Sequence, residues 1–175
     1  METSGLERHL SYMRLALDLA RKSPPKPTNF CVGTVLLDPT KDEVLSTGYT
    51  LELEGNTHAE QCCLTKLATQ SELPENRVGE IIPLNTILYT TMEPCSVRLS
   101  GNLPCVQRIL NIRKDDKLCI GKVVCGVKEP EKFVGENLGR ALLENAGITV
   151  LYVNGLEDEI LAVATAGHEK TKLTS

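Results

Sequence analysis

Along the first part of the chain the apolar residues Leu10, Met13, Leu15, Ala16, Leu17, Leu19 and Ala20 recur at roughly helical spacing. They predict a helix over Leu6 to Lys22 with Ser4 available as its cap, stopped by Pro24, Pro25 and Pro27. Phe30 to Leu37 is a short unbroken apolar run that reads as a strand covered on both faces. Asp38-Pro39 supplies a turn, and Val44 to Tyr49 returns as a second strand. His58 to Leu67 has helical spacing. Because Glu60 follows Thr57 by three residues, Thr57 to Glu60 also fits a capping box. Ser71 to Pro83 reads as a solvated connection, Asn85 to Thr91 as a third strand, Cys95 to Pro104 as a polar loop and Val106 to Ile112 as a short helix. Gly121 to Val127 is a fourth strand, Val134 to Asn145 a helix ended by Ala146-Gly147, Ile148 to Val153 a fifth strand and Leu156 to Ala166 a closing helix.

This alternation predicts an α/β protein: a three-layer α/β/α sandwich around a five-stranded mixed sheet, its later strands parallel because helical crossovers join them. The length of 175 residues fits one domain, with a polar tail from His168 to Ser175 expected to fray. No internal repeat or low-complexity tract interrupts it.

Composition narrows the function. With 41% hydrophobic and 24% charged residues the chain composes like a soluble globular protein, and no apolar run is long enough to cross a membrane. A formal charge of −4, with two Phe, four Tyr and no Trp, argues against a nucleic-acid partner, which needs clustered cations and stacking platforms. Glu2, Glu7, Arg8 and His9 stand where a signal peptide would need its apolar core, so a cytoplasmic location is expected. Seven cysteines is an odd count for a disulfide framework, and Cys31, Cys119 and Cys125 sit in apolar runs as packing thiols.

Marking the metal-ligand residue types leaves three segments: His58-Ala59-Glu60, Glu93-Pro94-Cys95 and Leu103-Pro104-Cys105. Singly, each has an ordinary structural explanation. Together they place one imidazole and two thiols where strand ends feed helices, the usual location of sites in open α/β sheets. Such a donor set suits zinc, and three protein ligands leave a fourth position for water, as in catalytic sites. Two thiolates and a neutral imidazole cancel the ion's charge. Glu60, two residues from His58, then lies near the metal without binding it and can move protons. Cys62 and Cys63 on the same helix read as packing.

His58-Ala59-Glu60 followed by Pro94-Cys95 and a later cysteine resembles the zinc-dependent cytidine deaminase superfamily, although nine residues separate Cys95 from Cys105 where that signature has two. The long form, Glu93 to Cys105, is similar to the pyrimidine deaminases of riboflavin biosynthesis. Asn29-Phe30-Cys31-Val32-Gly33 fits their Asn-Pro-x-Val-Gly segment except at Phe30, and Val127 to Pro130 and Ala146 to Ile148 resemble their last strand, loop and helix. The likeness runs from Leu6 to Val153. The loop Ser96 to Asn102, with no reductase domain following, resembles the fungal form.

The resemblance implies the cytidine deaminase-like fold, Zn2+ on His58, Cys95 and Cys105, and Glu60 as proton shuttle in the release of ammonia from a small phosphorylated pyrimidine. In the fungal order of steps the sugar chain is reduced first, which implies a ribitylamino substrate. By motif it also implies Asn29, Ala59 and Pro94 as substrate contacts and a homodimer. Thr91, at the strand end, is a further candidate for the pocket wall. Arg98 is the candidate for the phosphate, against a solvated loop charge, with Lys128 as a second choice. Two other readings compete: a tRNA base deaminase, and a non-catalytic zinc-stabilised partner subunit in which Glu60 merely caps a helix.

Overall fold

The computed structural model describes residues 2–130 and 137–168. Helix α1 (Glu2–Ala20) gives way to the proline-rich segment and then to β1 (Gly33–Asp38) and β2 (Glu43–Tyr49). Helix α2 (Ala59–Gln70), β3 (Thr86–Met92), α3 (Cys105–Asn111), a small hairpin of β4 (Arg113–Lys114) and β5 (Lys117–Leu118), β6 (Ile120–Val127), α4 (Gly139–Asn145), β7 (Thr149–Tyr152) and α5 (Glu157–Ala164) follow.

The main sheet runs β2-β1-β3-β6-β7. β1 is antiparallel to both β2 and β3, whereas β3, β6 and β7 are parallel. This is the five-stranded mixed sheet that the alternation predicts. Its strands carry side chains to opposite faces at every second residue, and both faces are covered. Val35, Leu37, Tyr89 and Val124 pack beneath α1 and α5 with Met13, Leu17 and Ile160. Leu36, Leu88, Val123 and Cys125 meet α2, α3 and α4 through Leu64, Ile109 and Leu143. Gly33 permits the first contact: a Cβ there would lie 1.8 Å from the Ala16 carbonyl oxygen.

Several boundaries differ from expectation, each for a physical reason. β1 begins at Gly33, so Phe30 to Val32 belong to the preceding loop. The connection 71–83 is not merely solvated: Glu75–Glu80 forms a 3-10 helix whose Val78, with nearby Ile82, fills the second core. The hairpin β4–β5 turns through Asp115 and Asp116, both at positive φ (50° and 62°), a conformation usually signalled by Asn-Gly. Helix α4 starts at Gly139 rather than 134, and 134–136 lie outside the described residues. The polar tail is corrected at its first residue. His168 is buried, its Nε2 sits 2.8 Å from the Asn29 carbonyl oxygen and its ring lies tilted on Phe30, while 169–175 lie outside the described residues. No helix among the described residues is long and apolar enough to cross a membrane.

Candidate active site

The parallel strand β3 ends at Met92 and delivers Glu93, Pro94 and Cys95 to one end of the sheet, where α2 and α3 begin. His58 is the N-cap of α2, with extended backbone (φ −87°, ψ 160°), and Cys105 is the first residue of α3, following its N-cap Pro104. Cys95 sits in the loop rather than at a helix start. It meets α3 from outside: the Cys105 N–H donates to its Sγ at 3.3 Å.

Both sulfurs lie 3.5 Å from His58 Nδ1, and all three ligand atoms fall within 4.8 Å of one another. A tetrahedral ion with bonds of about 2.3 Å to sulfur and 2.0 Å to nitrogen needs S···N edges of about 3.5 Å. The donor set therefore fits zinc in number, type and spacing. The hydrogen bond with Cys105 and the nearby imidazole hold the Cys95 thiol down at about 4, while the same hydrogen bond and complete burial push Cys105 well up. Without metal the two sulfurs thus share a single proton.

Glu60 is 4% exposed and carries the general-base candidate into the same space. Burial raises its carboxyl above the ordinary range, and the negative Cys95 raises it further. The capping-box explanation for this residue fails. His58, not Thr57, is the cap, Gln61 Oε1 accepts from the His58 N–H at 3.3 Å, and the Thr57 hydroxyl donates instead to the Leu53 carbonyl at 2.9 Å. Glu60 Oε1 is instead 3.1 Å from Thr90 Oγ1, whose hydroxyl also reaches the Met92 carbonyl at 2.8 Å.

A cavity of about 170 Å³ opens on this group, and Asn29, Ala59 and Arg98 line it together with His58, Glu60 and Cys95. The Asn29 side chain donates to Asn56 Oδ1 at 2.9 Å. Arg98 is not a solvated loop charge: it is 8% exposed and clamps the loop to α2 through Gln61 Oε1 (2.9 Å), the Asn56 carbonyl (2.6 Å) and the Leu103 carbonyl (3.4 Å). Its Nε is buried with no partner among the described residues.

Two sequence candidates stand apart. Thr91 points to the opposite face of the sheet, where its hydroxyl accepts from the Gly33 N–H at 3.1 Å; strand parity gives the site to Thr90. Pro94 is buried behind the wall, its carbonyl accepting from Asn137 at 2.9 Å. Sequence reasoning missed Thr90, Gln61 and two further carboxyls. Glu93 is buried and accepts from the Tyr152 hydroxyl (2.7 Å) and the Glu129 N–H (3.0 Å). Glu129 lines the cavity, and burial, then the negative Cys95, Glu60 and Glu93, push it up to about 8. Its place just beyond the end of β6 was the available signal, since residues there border sites in such sheets.

Comparison with known proteins agrees with this geometry. A model of the cytidine and deoxycytidylate deaminase zinc-binding region matches residues 6–125, a span that includes His58, Cys95 and Cys105, the group that could hold a metal ion. A diaminohydroxyphosphoribosylamino-pyrimidine deaminase of Schizosaccharomyces pombe is 38% identical over 160 residues; they make up 91% of this chain and 36% of that relative's length. The crystal structure of Aspergillus oryzae Rib2 deaminase, a C-terminal deletion mutant at pH 4.6, is 53% identical, covers 93% of both chains and superposes with a TM-score of 0.86. The same deaminase in complex with DARIPP is 51% identical, with 93% of this chain and 92% of that chain covered and a TM-score of 0.84. The chain belongs to the zinc-binding cytidine and deoxycytidylate deaminase family.

Proposed function

We propose that the chain hydrolytically deaminates 2,5-diamino-6-ribitylamino-4(3H)-pyrimidinone 5'-phosphate to 5-amino-6-ribitylamino-2,4-pyrimidinedione 5'-phosphate, releasing ammonia in riboflavin biosynthesis. The observation that carries this reading is the buried Glu60 carboxyl beside three zinc donors in one small cavity. The names of the Schizosaccharomyces and Aspergillus relatives, one with DARIPP bound, support the substrate class.

The reaction adds water to the ring carbon that bears the exocyclic amine and then breaks the carbon–nitrogen bond. Zinc on His58, Cys95 and Cys105 supplies acidification of the attacking water, toward a pKa of about 7. Glu60 takes the first proton of that water and passes it to the ring nitrogen. It then takes the second from the hydroxyl now on the tetrahedral carbon and gives it to the amine, so that the carbon–nitrogen bond breaks and ammonia leaves. Its burial suits both roles, because a raised carboxyl pKa makes the acid form easier to reach than for an exposed glutamate. Asn29 and Ala59, which both line the cavity, are the contacts for the ring in this reading.

Arg98 is the phosphate anchor in this reading. Its guanidinium has five N–H donors, of which three are engaged among the described residues; Nε is shielded, and a second Nη2 N–H is left for an oxyanion in the cavity that Arg98 lines. Thr28, Thr50, Asn56 and Ser100 also line the cavity and suit a polyol chain, which supports the ribityl form. The same reading has the protein acting as a cytoplasmic homodimer without nucleic acid. The charge of −4 and the small cavity favour this over a tRNA substrate.

The test is ammonia release from the ribitylamino phosphate by the zinc-loaded protein, beside its ribosylamino counterpart, a tRNA control and Glu60→Ala. Release from the ribitylamino compound, reduced about 10²–10⁴-fold in Glu60→Ala, is expected. Absence of ammonia from wild type refutes the reaction, and equal rates from Glu60→Ala refute the proton shuttle.

A further inference from the structure

Beneath the Glu60 carboxyl lies a pair of threonines that neither metal binding nor substrate binding uses. β1 and β3 are antiparallel with Thr34 opposite Thr90, so the two side chains leave the same face of the sheet, the one that α2 covers. Both are fully buried. Their hydroxyls differ sharply in what they touch. Thr90 Oγ1 lies 3.1 Å from Glu60 Oε1 and 2.8 Å from the Met92 carbonyl oxygen, whereas Thr34 Oγ1 has no partner among the described residues.

We propose that Thr90 is a positioning residue for deamination: its hydroxyl, anchored in β3, fixes the direction in which the Glu60 carboxyl faces the reacting atoms. This deepens the reading of the site given above and rests on it.

The argument is geometric. Glu60 stands in the first turn of α2, and its side chain has three rotatable bonds between backbone and carboxyl oxygens. Beyond the helix itself, the contact with Thr90 ties those oxygens to the sheet. β3 is the central strand, paired on both edges, so the hydroxyl is held by the middle of the sheet. A hydroxyl also suits a group that exchanges protons, because it can donate to a carboxylate oxygen or accept from a carboxylic acid. When it accepts, its own proton has the Met92 carbonyl to go to, so the contact survives transfer in either direction. Valine has the shape of threonine without this capacity. A proton shuttle misdirected by a fraction of an ångström loses rate without loss of substrate binding.

Thr34 supplies the control. It offers the same substitution, threonine to valine, on the same buried face, with no hydrogen bond to Glu60 to lose. The experiment compares Thr90→Val, Thr90→Ser and Thr34→Val by steady-state kinetics on the ribitylamino phosphate, by zinc content, and by crystal structures of the zinc-loaded proteins. In Thr90→Val, kcat is expected to fall about tenfold at unchanged KM and full zinc content. Thr90→Ser is expected within about threefold of wild type, and Thr34→Val unchanged. The Thr90→Val crystal should show the Glu60 carboxyl in more than one orientation.

The proposal is overturned by a Thr90→Val kcat within twofold of wild type, by an equal loss in Thr34→Val, or by failure of serine to rescue. If the wild type releases no ammonia from this compound, the assigned reaction fails. The crystal comparison then decides the proposal alone, and an unmoved Glu60 carboxyl in Thr90→Val refutes it.

Discussion

Replacing Gly48 with alanine tests how α2 is brought to the site. A Cβ at position 48 would stand 2.2 Å from the Ala59 carbonyl oxygen and 2.6 Å from the Cys63 nitrogen, both helix backbone, where ordinary contact begins at 3.4 Å. Strand and helix must therefore separate by about 1.2 Å at this point. Neither moves freely. Gly48 is paired with Thr34 in β1, and the Ser46 hydroxyl donates to the Cys63 carbonyl at 2.8 Å, pinning β2 to the middle of α2. Overpacking of this kind costs about 2 kcal/mol, which lowers Tm by roughly 4–8 °C in a chain of this size. The displaced end of the helix carries His58 and Glu60, and a zinc site tolerates only about 0.2 Å of error in its bonds. Zinc affinity is therefore expected to fall at least tenfold alongside Tm. Calorimetry of the zinc-loaded protein and competition with a chromogenic chelator measure both. Gly5→Ala in α1, with nothing within 4 Å of its Cβ, is the control and should be neutral or slightly stabilising. A Gly48→Ala protein with wild-type Tm and wild-type zinc affinity refutes the close-approach argument.

Two further outcomes follow from the electrostatics. Zinc binding to the apo protein at pH 6, below the pKa of about 7 expected for zinc-bound water, should release about one proton, because Cys95 is already a thiolate while Cys105 holds the shared proton; calorimetry in two buffers of different ionisation enthalpy measures it, and release of two contradicts the coupled pair. Glu129→Gln should stabilise the folded protein at alkaline but not at acid pH. The folded carboxyl, pushed up to about 8, lies above its ordinary value of 4.5, so its contribution is fully present below about 4.5 and is lost as pH rises through about 8. Denaturant melts at pH 4 and pH 9 should show no difference from wild type at the first and, after allowance for partial exposure, about 1 kcal/mol in favour of glutamine at the second.

The fold was legible because most of its elements announce themselves by period and by breakers. Pro24, Pro25 and Pro27 separate α1 from β1, and Ala146-Gly147 separates α4 from β7. The elements that escaped lack such marks. The Glu75–Glu80 turn has a single fully buried apolar side chain, Val78, among charged neighbours, so no periodicity could reveal it. The β4–β5 hairpin turns on two aspartates that adopt positive φ only because the flanking residues pair. His168 is polar and terminal by sequence, and it is buried by its contacts with Asn29 and Phe30, residues far from it along the chain.

The site divides along the same line. His58, Cys95, Cys105 and Glu60 could be picked out because metal chemistry restricts residue types, and a rare combination survives in one dimension. Thr90 and Thr91 could not be told apart, because β3 is buried on both faces and shows no alternation from which parity could be read. Register against β1 decides it: Thr90 opposes Thr34 on the α2 face, and Thr91 turns to Gly33 beneath α1. Arg98 shows the converse case. Its sequence neighbours are those of an exposed loop, and only the folding of that loop onto Asn56 and Gln61 removes the guanidinium from water. Burying a charge with a donor unspent is costly unless something else completes the set. Arg98 lines the cavity with its donor set incomplete, and this supports an anionic ligand there better than a solvated loop arginine would.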